Sequence, residues 1–113
     1  MYKVDFREKS SDSIDWFINW YLGNFLELFT DTWLYEEETI KNTYIDNSLK
    51  FQKNIYDSVE NLLSEENILW YNILENNDFE ITTIVWNYRL FIEYWEDNNE
   101  KLRFIENIRF FNK

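Results

Sequence analysis

The stretch from Tyr88 to Phe111, YRLFIEYWEDNNEKLRFIENIRFF, decides between two folds. At its centre Asp97, Asn98, Asn99 and Glu100 form a compact polar turn, and asparagine tolerates the positive φ that tight hairpin loops require. The flanks, Arg89 to Glu96 and Lys101 to Phe111, both mix apolar and charged residues, and Glu96 and Lys101 stand where opposed strands would pair them. A helical template competes, because Ile84, Val85, Tyr88, Phe91, Ile92 and Trp95 form a heptad-like stripe. The abundance of Ile, Thr, Val, Trp, Tyr and Phe from Phe79 to Trp95 and the turn after it favour the hairpin, with an all-α chain as the alternative.

Upstream, Asn76, Asn77 and Asp78 make a second turn, and Ile68 to Leu74 reads either as a short helix capped by Ser64 or as a buried strand. The N-terminal half is helical in pattern. Met1 to Phe6 alternates Tyr2, Val4 and Phe6 with Lys3 and Asp5, the period of a short half-buried strand, and Arg7 to Ser11 follows as a polar turn. Ser11 or Asp12 is the expected N-cap of a helix over about 12–30, marked by Ile14, Phe17, Ile18, Tyr21, Leu22, Phe25, Leu26 and Phe29. Gly23 inside it points to a close approach by a neighbouring backbone. Trp33, Leu34, Ile40, Tyr44 and Ile45 suit a second helix, which Glu36, Glu37 and Glu38 interrupt. Leu49, Gln52, Ile55, Tyr56, Val59, Leu62 and Leu63 mark a third helix over about 46–63, with no strong breaker between the two. No repeat or linker divides the chain, so the expectation is one α+β domain, 1–113, with a helical N-terminal half packed on a small antiparallel sheet that ends in a C-terminal hairpin.

Composition narrows the chemistry. The chain has 113 residues, no Cys and no His, which removes disulfides, thiolate zinc sites, cysteine nucleophiles and the commonest general base. Pro 0, Gly 1 and the absence of alanine exclude glycine-rich phosphate loops and suit the codon bias of an AT-rich genome. Neither a basic leader with an apolar run nor a long uncharged apolar segment is present, so no signal peptide, no membrane span and a cytoplasmic location are expected. A chain with 6 Trp, 8 Tyr and 10 Phe has enough apolar surface to fold despite a formal net charge of -11. That charge opposes direct contact with nucleic acid or anionic membrane and favours a basic protein partner.

The acids are unevenly placed. No Lys or Arg lies between Lys9 and Lys41, or between Lys53 and Arg89, and these two windows hold fourteen of the 22 acids. If the windows share a face, that face steers cations; the competing reading is a solvated shell that keeps an aromatic chain soluble. Two acid clusters adjoin aromatic residues: Asp31, Glu36, Glu37 and Glu38 beside Trp33 and Tyr35, and Glu65 and Glu66 shortly before Trp70 and Tyr71. Rigid aromatic anchors next to carboxylates are the composition of a hot spot for a basic surface, so these ten residues are the candidate partner-binding set. Adjacent glutamates lack the alternating oxygen ligands of a calcium loop, and nothing pairs two carboxylates for catalysis, so neither an enzyme nor a metal or other cofactor is expected.

In these acid and aromatic clusters, and in its closing hairpin pattern, the chain resembles the immunity proteins of bacterial polymorphic toxin and contact-dependent inhibition systems. The resemblance is one of general character across the whole chain and rests on no signature motif. It implies a small acidic α+β protein that neutralises a cognate basic toxin domain, commonly a nuclease, by tight non-catalytic binding. A phage-encoded anti-defence inhibitor, such as an anti-CRISPR or nucleic-acid mimic, calls for the same acidic surface.

Overall fold

The computed structural model describes the backbone of residues 1–29 and 37–112, and the side chains of 1–24, 42, 43 and 45–112. In chain order the elements are β1 (Lys3–Phe6), α1 (Glu8–Phe29), α2 (Glu37–Ser64), β2 (Asn72–Ile73), β3 (Phe79–Val85), β4 (Tyr88–Asp97) and β5 (Leu102–Asn112). The five strands form one sheet in the order β1-β5-β4-β3-β2. This is an α+β fold, and the all-α alternative is excluded.

Packing follows the pleat. Ile81, Val85, Leu90, Ile92, Tyr94, Ile105 and Ile108 lie on one face of the sheet, and Ile14, Phe17 and Ile18 of α1 and Phe51, Ile55, Val59 and Leu63 of α2 complete the buried core against it. Phe17 sits at the junction, stacked 4.1 Å from Phe110 and edge-on to Tyr88 at 4.9 Å. Among the described residues no helix lies on the other face, which carries Glu80, Phe91, Glu93, Trp95 and Phe104, as a largely antiparallel sheet permits.

Several expectations change in detail. The sheet is mixed, because β1 runs parallel to β5 from Lys3↔Leu102 to Phe6↔Ile105, while the other pairings are antiparallel. The hairpin joining β4 to β5 forms, but Asp97 Oδ1 organises its loop by accepting from the Asn99 and Glu100 amides, and the positive φ falls on Lys101. Glu96 lies opposite Arg103 and pairs with it, while Lys101 turns to Glu66. The stretch 79–95 contains a further turn, Trp86-Asn87, closed by the pair Val85↔Tyr88. Trp86 takes φ 56, a left-handed conformation costly for a bulky residue, and it is held there by stacking on Phe51 at 4.3 Å.

α1 starts at Glu8 rather than after Ser11 or Asp12, because the Arg7 amide donates to the Ile105 carbonyl and the Arg7 carbonyl accepts from the Ser10 and Ser11 amides and the Ser10 hydroxyl. The sheet thus fixes the residue from which the helix begins. The second and third predicted helices are one element, α2, and Glu37 and Glu38 open it rather than interrupt it. Gly23 has open space where a Cβ would lie, so no neighbour requires it. Residues 68–74 are neither a helix nor a buried strand: only Asn72 and Ile73 pair, and both are exposed.

Candidate functional site

α2 ends without a glycine and without a basic residue in its last turn. A helix C-terminus leaves carbonyls unsatisfied, and here the sheet supplies the donor. Arg103, 3 % exposed in its side chain, donates from Nη1 to the Leu63 carbonyl at 2.7 Å and to the Glu65 carbonyl, and from Nη2 to the Glu66 carbonyl at 3.4 Å. Its Nε donates to Glu96 Oε2 at 3.0 Å, and its guanidinium lies 3.7 Å from the centre of the Tyr2 ring. Tyr2 in turn donates its amide to the Ser64 carbonyl and its hydroxyl to Asn98 Oδ1. The end of α2, the start of β1 and the β4–β5 loop therefore meet on one buried guanidinium.

Glu66 reinforces that junction. Its carboxylate accepts from Lys101 Nζ at 2.6 Å and from the Met1 amine. Those two cations, Lys101 first, hold its carboxyl at about 2, well below the ordinary carboxylate value. Glu66 is exposed but already satisfied within the chain. Glu65 is exposed too, and among the described residues its carboxylate has no cationic partner.

From this anchored base the chain leaves as an extended segment. Ile68 packs against the core, and the next residues project from it: Leu69 is 84 % exposed and Trp70 86 %. Tyr71 rests its ring edge-on against Phe79 at 5.0 Å, which fixes the segment to the sheet while leaving half of the side chain in water. Asn72 and Ile73 then pair with Glu80 and Phe79 as an edge strand, with Ile73 exposed. A turn returns the chain to β3, Asn77 taking φ 69 and Asp78 bonded to Asn76. Leu69, Trp70, Tyr71 and Ile73 form a run of exposed apolar side chains flanked by exposed Glu65 and Glu75. Apolar surface concentrated in this way marks an interaction site more often than a scattered exposed residue does.

The structure therefore brings Glu65, Glu66, Trp70 and Tyr71 of the candidate set into one neighbourhood. Asp31, Trp33, Tyr35 and Glu36 lie outside the described residues, as do the side chains of Glu37 and Glu38. The backbone of Glu37 and Glu38 is nonetheless placed at the start of α2, whereas Glu65 follows its end. With 28 residues in that helix, about 42 Å of helix separates the two clusters at 1.5 Å per residue. The backbone of Glu37 and Glu38 and that of Glu65 and Glu66 thus lie at opposite ends of α2. Leu69 and Ile73 were not singled out from sequence. The signal was present in the run Ile68-Leu69-Trp70-Tyr71, since an extended segment hides at most alternate side chains.

Elsewhere, Glu93 sits on the solvated sheet face directly opposite Glu80, and its carboxyl is raised by partial burial first and by Asp78 second. Arg109 answers this repulsion by donating to Glu80 at 2.7 Å. Among the described residues no group of three or more His, Cys, Asp or Glu side chains is arranged to hold a metal ion, and no described helix is long and apolar enough to cross a membrane. No protein-family model, curated protein or solved structure matches this chain.

Proposed function

We propose that this protein is a non-catalytic inhibitor of the immunity type, which binds a cognate basic toxin domain through the surface formed by Leu69, Trp70, Tyr71 and Ile73. The observation that carries this reading is Trp70, 86 % exposed beside uncompensated Glu65 on a chain of net charge -11. Trp and Tyr dominate binding hot spots because they bury much area with few rotors, and carboxylates at the rim select Arg and Lys and raise the association rate. The segment is fixed at both ends, by Arg103 at the α2 terminus and by Tyr71 on Phe79, so little ordering entropy opposes docking.

Such a partner would act in the cytoplasm, where the inhibitor would meet it. A nucleic-acid mimic needs a continuous file of available carboxylates. The internal pairing of Glu66 and Glu80 interrupts any such file across this end of the fold, which favours local complementarity over mimicry.

The test is co-expression with toxin domains encoded beside the gene, followed by calorimetry with the toxin that is neutralised. Trp70→Ala should weaken binding by at least ~30-fold, the effect of losing a hot-spot anchor of about 2 kcal/mol. Glu65→Lys with Glu75→Lys should lower the association rate and its salt sensitivity. Changing Glu37 and Glu38 to Lys tests the opposite end of α2 separately. Absence of protection against every neighbouring toxin rejects the reading, and protection unaffected by Trp70→Ala rejects this surface.

A further inference from the structure

A second surface is independent of Trp70. β1 is short, and its pairing with β5 stops at Phe6↔Ile105, so residues 106–112 of β5 extend past it along the sheet edge. The Arg7 amide donates to the Ile105 carbonyl at 3.0 Å, and among the described residues no backbone group pairs with β5 on that side beyond this point. In a strand, residues whose side chains share a face also share the direction of their N–H and C=O groups. Ile105 faces the core and aims its carbonyl toward β1. Beyond the irregularity opposite Glu93 and Tyr94, Ile108 and Phe110 face the core in turn, so their backbone groups are directed to the open side.

α1 runs along that side without sealing it. Between α1 and β5 lies a groove of about 1280 Å³, with Phe17, Ile108 and Phe110 along its floor and Trp16, Trp20 and Phe111 at its rim. Trp16 is 69 % exposed, and Trp20 and Phe111 are exposed by about half. An unprotected edge is ordinarily blunted by proline, lysine or covering structure; here it is flanked by aromatic rings.

The charges lining the groove indicate its occupant. Arg7 lies over the Phe104 ring at 4.6 Å and reaches Glu106 at 3.7 Å, and Arg109 is taken by Glu80. Lys9 makes no ion pair among the described residues, although its charge reaches Glu93, and Glu8 and Asp12 beside it in the groove have no ion-pair partner there. On a chain of net charge -11 the electrostatics left to a ligand are acidic. We infer that this groove binds an extended basic polypeptide segment, which adds as a strand to residues 106–112 of β5. Its Arg or Lys side chains meet Glu8, Asp12 and the faces of Trp16 and Trp20, and its alternate apolar side chains rest on Phe17 and Phe110.

The experiment uses the full chain and four blocked heptapeptides: alternating Arg and Val, the same peptide with Glu for Arg, and the Arg peptide N-methylated at alternate amides in each of the two registers. Affinity is measured by calorimetry and backbone protection by amide hydrogen exchange. The Arg peptide should slow exchange at Ile108 and Phe110; the Glu form, and the one N-methylated form whose methyl groups fall on the amides directed at β5, should bind at least ~10-fold more weakly, as loss of charge-assisted or strand hydrogen bonds requires. Trp16→Ala and Asp12→Lys, both at solvent-accessible positions, should weaken the Arg peptide while Trp70→Ala leaves its affinity unchanged. Unaltered exchange at Ile108 and Phe110, or equal binding of the Glu peptide or of both N-methylated peptides, overturns the assignment. So does a dimer in sedimentation that protects the same amides without peptide, since the occupant is then a second copy.

Discussion

Replacing Arg103 by Met removes the guanidinium while keeping an unbranched apolar side chain, and the structure sets the cost. The Leu63 carbonyl belongs to a fully buried residue, and stranding it costs about 1–3 kcal/mol. Glu96 keeps 22 % of its side chain in water, so its loss of partner is partly rehydrated and costs about 1–2 kcal/mol rather than the full buried-charge penalty. The stack on Tyr2 adds about 0.5–1 kcal/mol, because methionine retains some packing there. The Glu65 and Glu66 carbonyls belong to exposed residues and can turn to water, so they contribute little. The total is about 2.5–6 kcal/mol, a large fraction of the 5–15 kcal/mol that holds a domain of this size together.

An unfolding entropy of about 0.24 kcal/mol/K for a chain of this length turns that loss into a fall in Tm of about 10–25 °C, measurable by tryptophan fluorescence and circular dichroism. Arg103→Lys should recover less than half, since one ammonium cannot span Glu96 and two carbonyls together. Hydrogen exchange should show the last turn of α2 opening first, and affinity at the Trp70 surface should fall with it. A Tm within 4 °C of the parent for Arg103→Met, about 1 kcal/mol, would refute the assignment of Arg103 as the joint of these elements.

Other outcomes follow from single positions. Gly23→Ala should raise stability by about 0.5–1 kcal/mol in denaturant melts, because the site has room for a Cβ and a helical glycine carries an entropic cost. Glu66 has a carboxyl lowered to about 2 by Lys101 and the Met1 amine, so its contribution is present above its unfolded value and lost as pH falls from about 4.5 toward 2. Glu66→Gln should therefore flatten the acid limb of a stability-against-pH curve and leave the region near pH 6 to 7 parallel to the parent. Burial pushes the Tyr94 hydroxyl up to about 12, so its contribution is intact below pH 10 and lost as pH rises through 12. Ultraviolet titration of Tyr94→Phe should lack the last phenolate to form.

What sequence reasoning recovered, and what it missed, divides by the range of the forces involved. The alternation of Tyr2, Val4 and Phe6, the apolar stripe beginning at Ile14 and the polar turn at Asp97 are local signals, and each element formed where they lie. The Trp86-Asn87 turn carries no such signal. Its first position favours glycine, and tryptophan is tolerated there because Phe51, 35 positions earlier, stacks on the ring. The parallel pairing of β1 with β5 and the early start of α1 are likewise set by Ile105, almost a whole chain length away. For the site, exposure of Trp70 and Tyr71 was legible from their acidic neighbourhood. The silencing of Glu66 was not, since Lys101 and Met1 reach it only through the fold.

That silencing changes how the net charge is read. The last turns of α2 carry Asp57 and Glu60 and no cation, at the end of the helix where the macrodipole disfavours each acid by about 0.3–1 kcal/mol. Among the described residues the cations that contact this corner are occupied: Arg103 holds the helix carbonyls and Glu96, while Lys101 and the Met1 amine hold Glu66. Internal pairing thus fixes the backbone that carries Leu69, Trp70 and Tyr71 and leaves Glu65 and Glu75 beside them uncompensated. Acids kept only for solubility would serve equally well at the positive end of a helix or spread across the surface. Placed here, they are relieved most by a cation that arrives from outside, and under the proposed function a partner presenting Arg or Lys next to an apolar pocket for Trp70 would supply it.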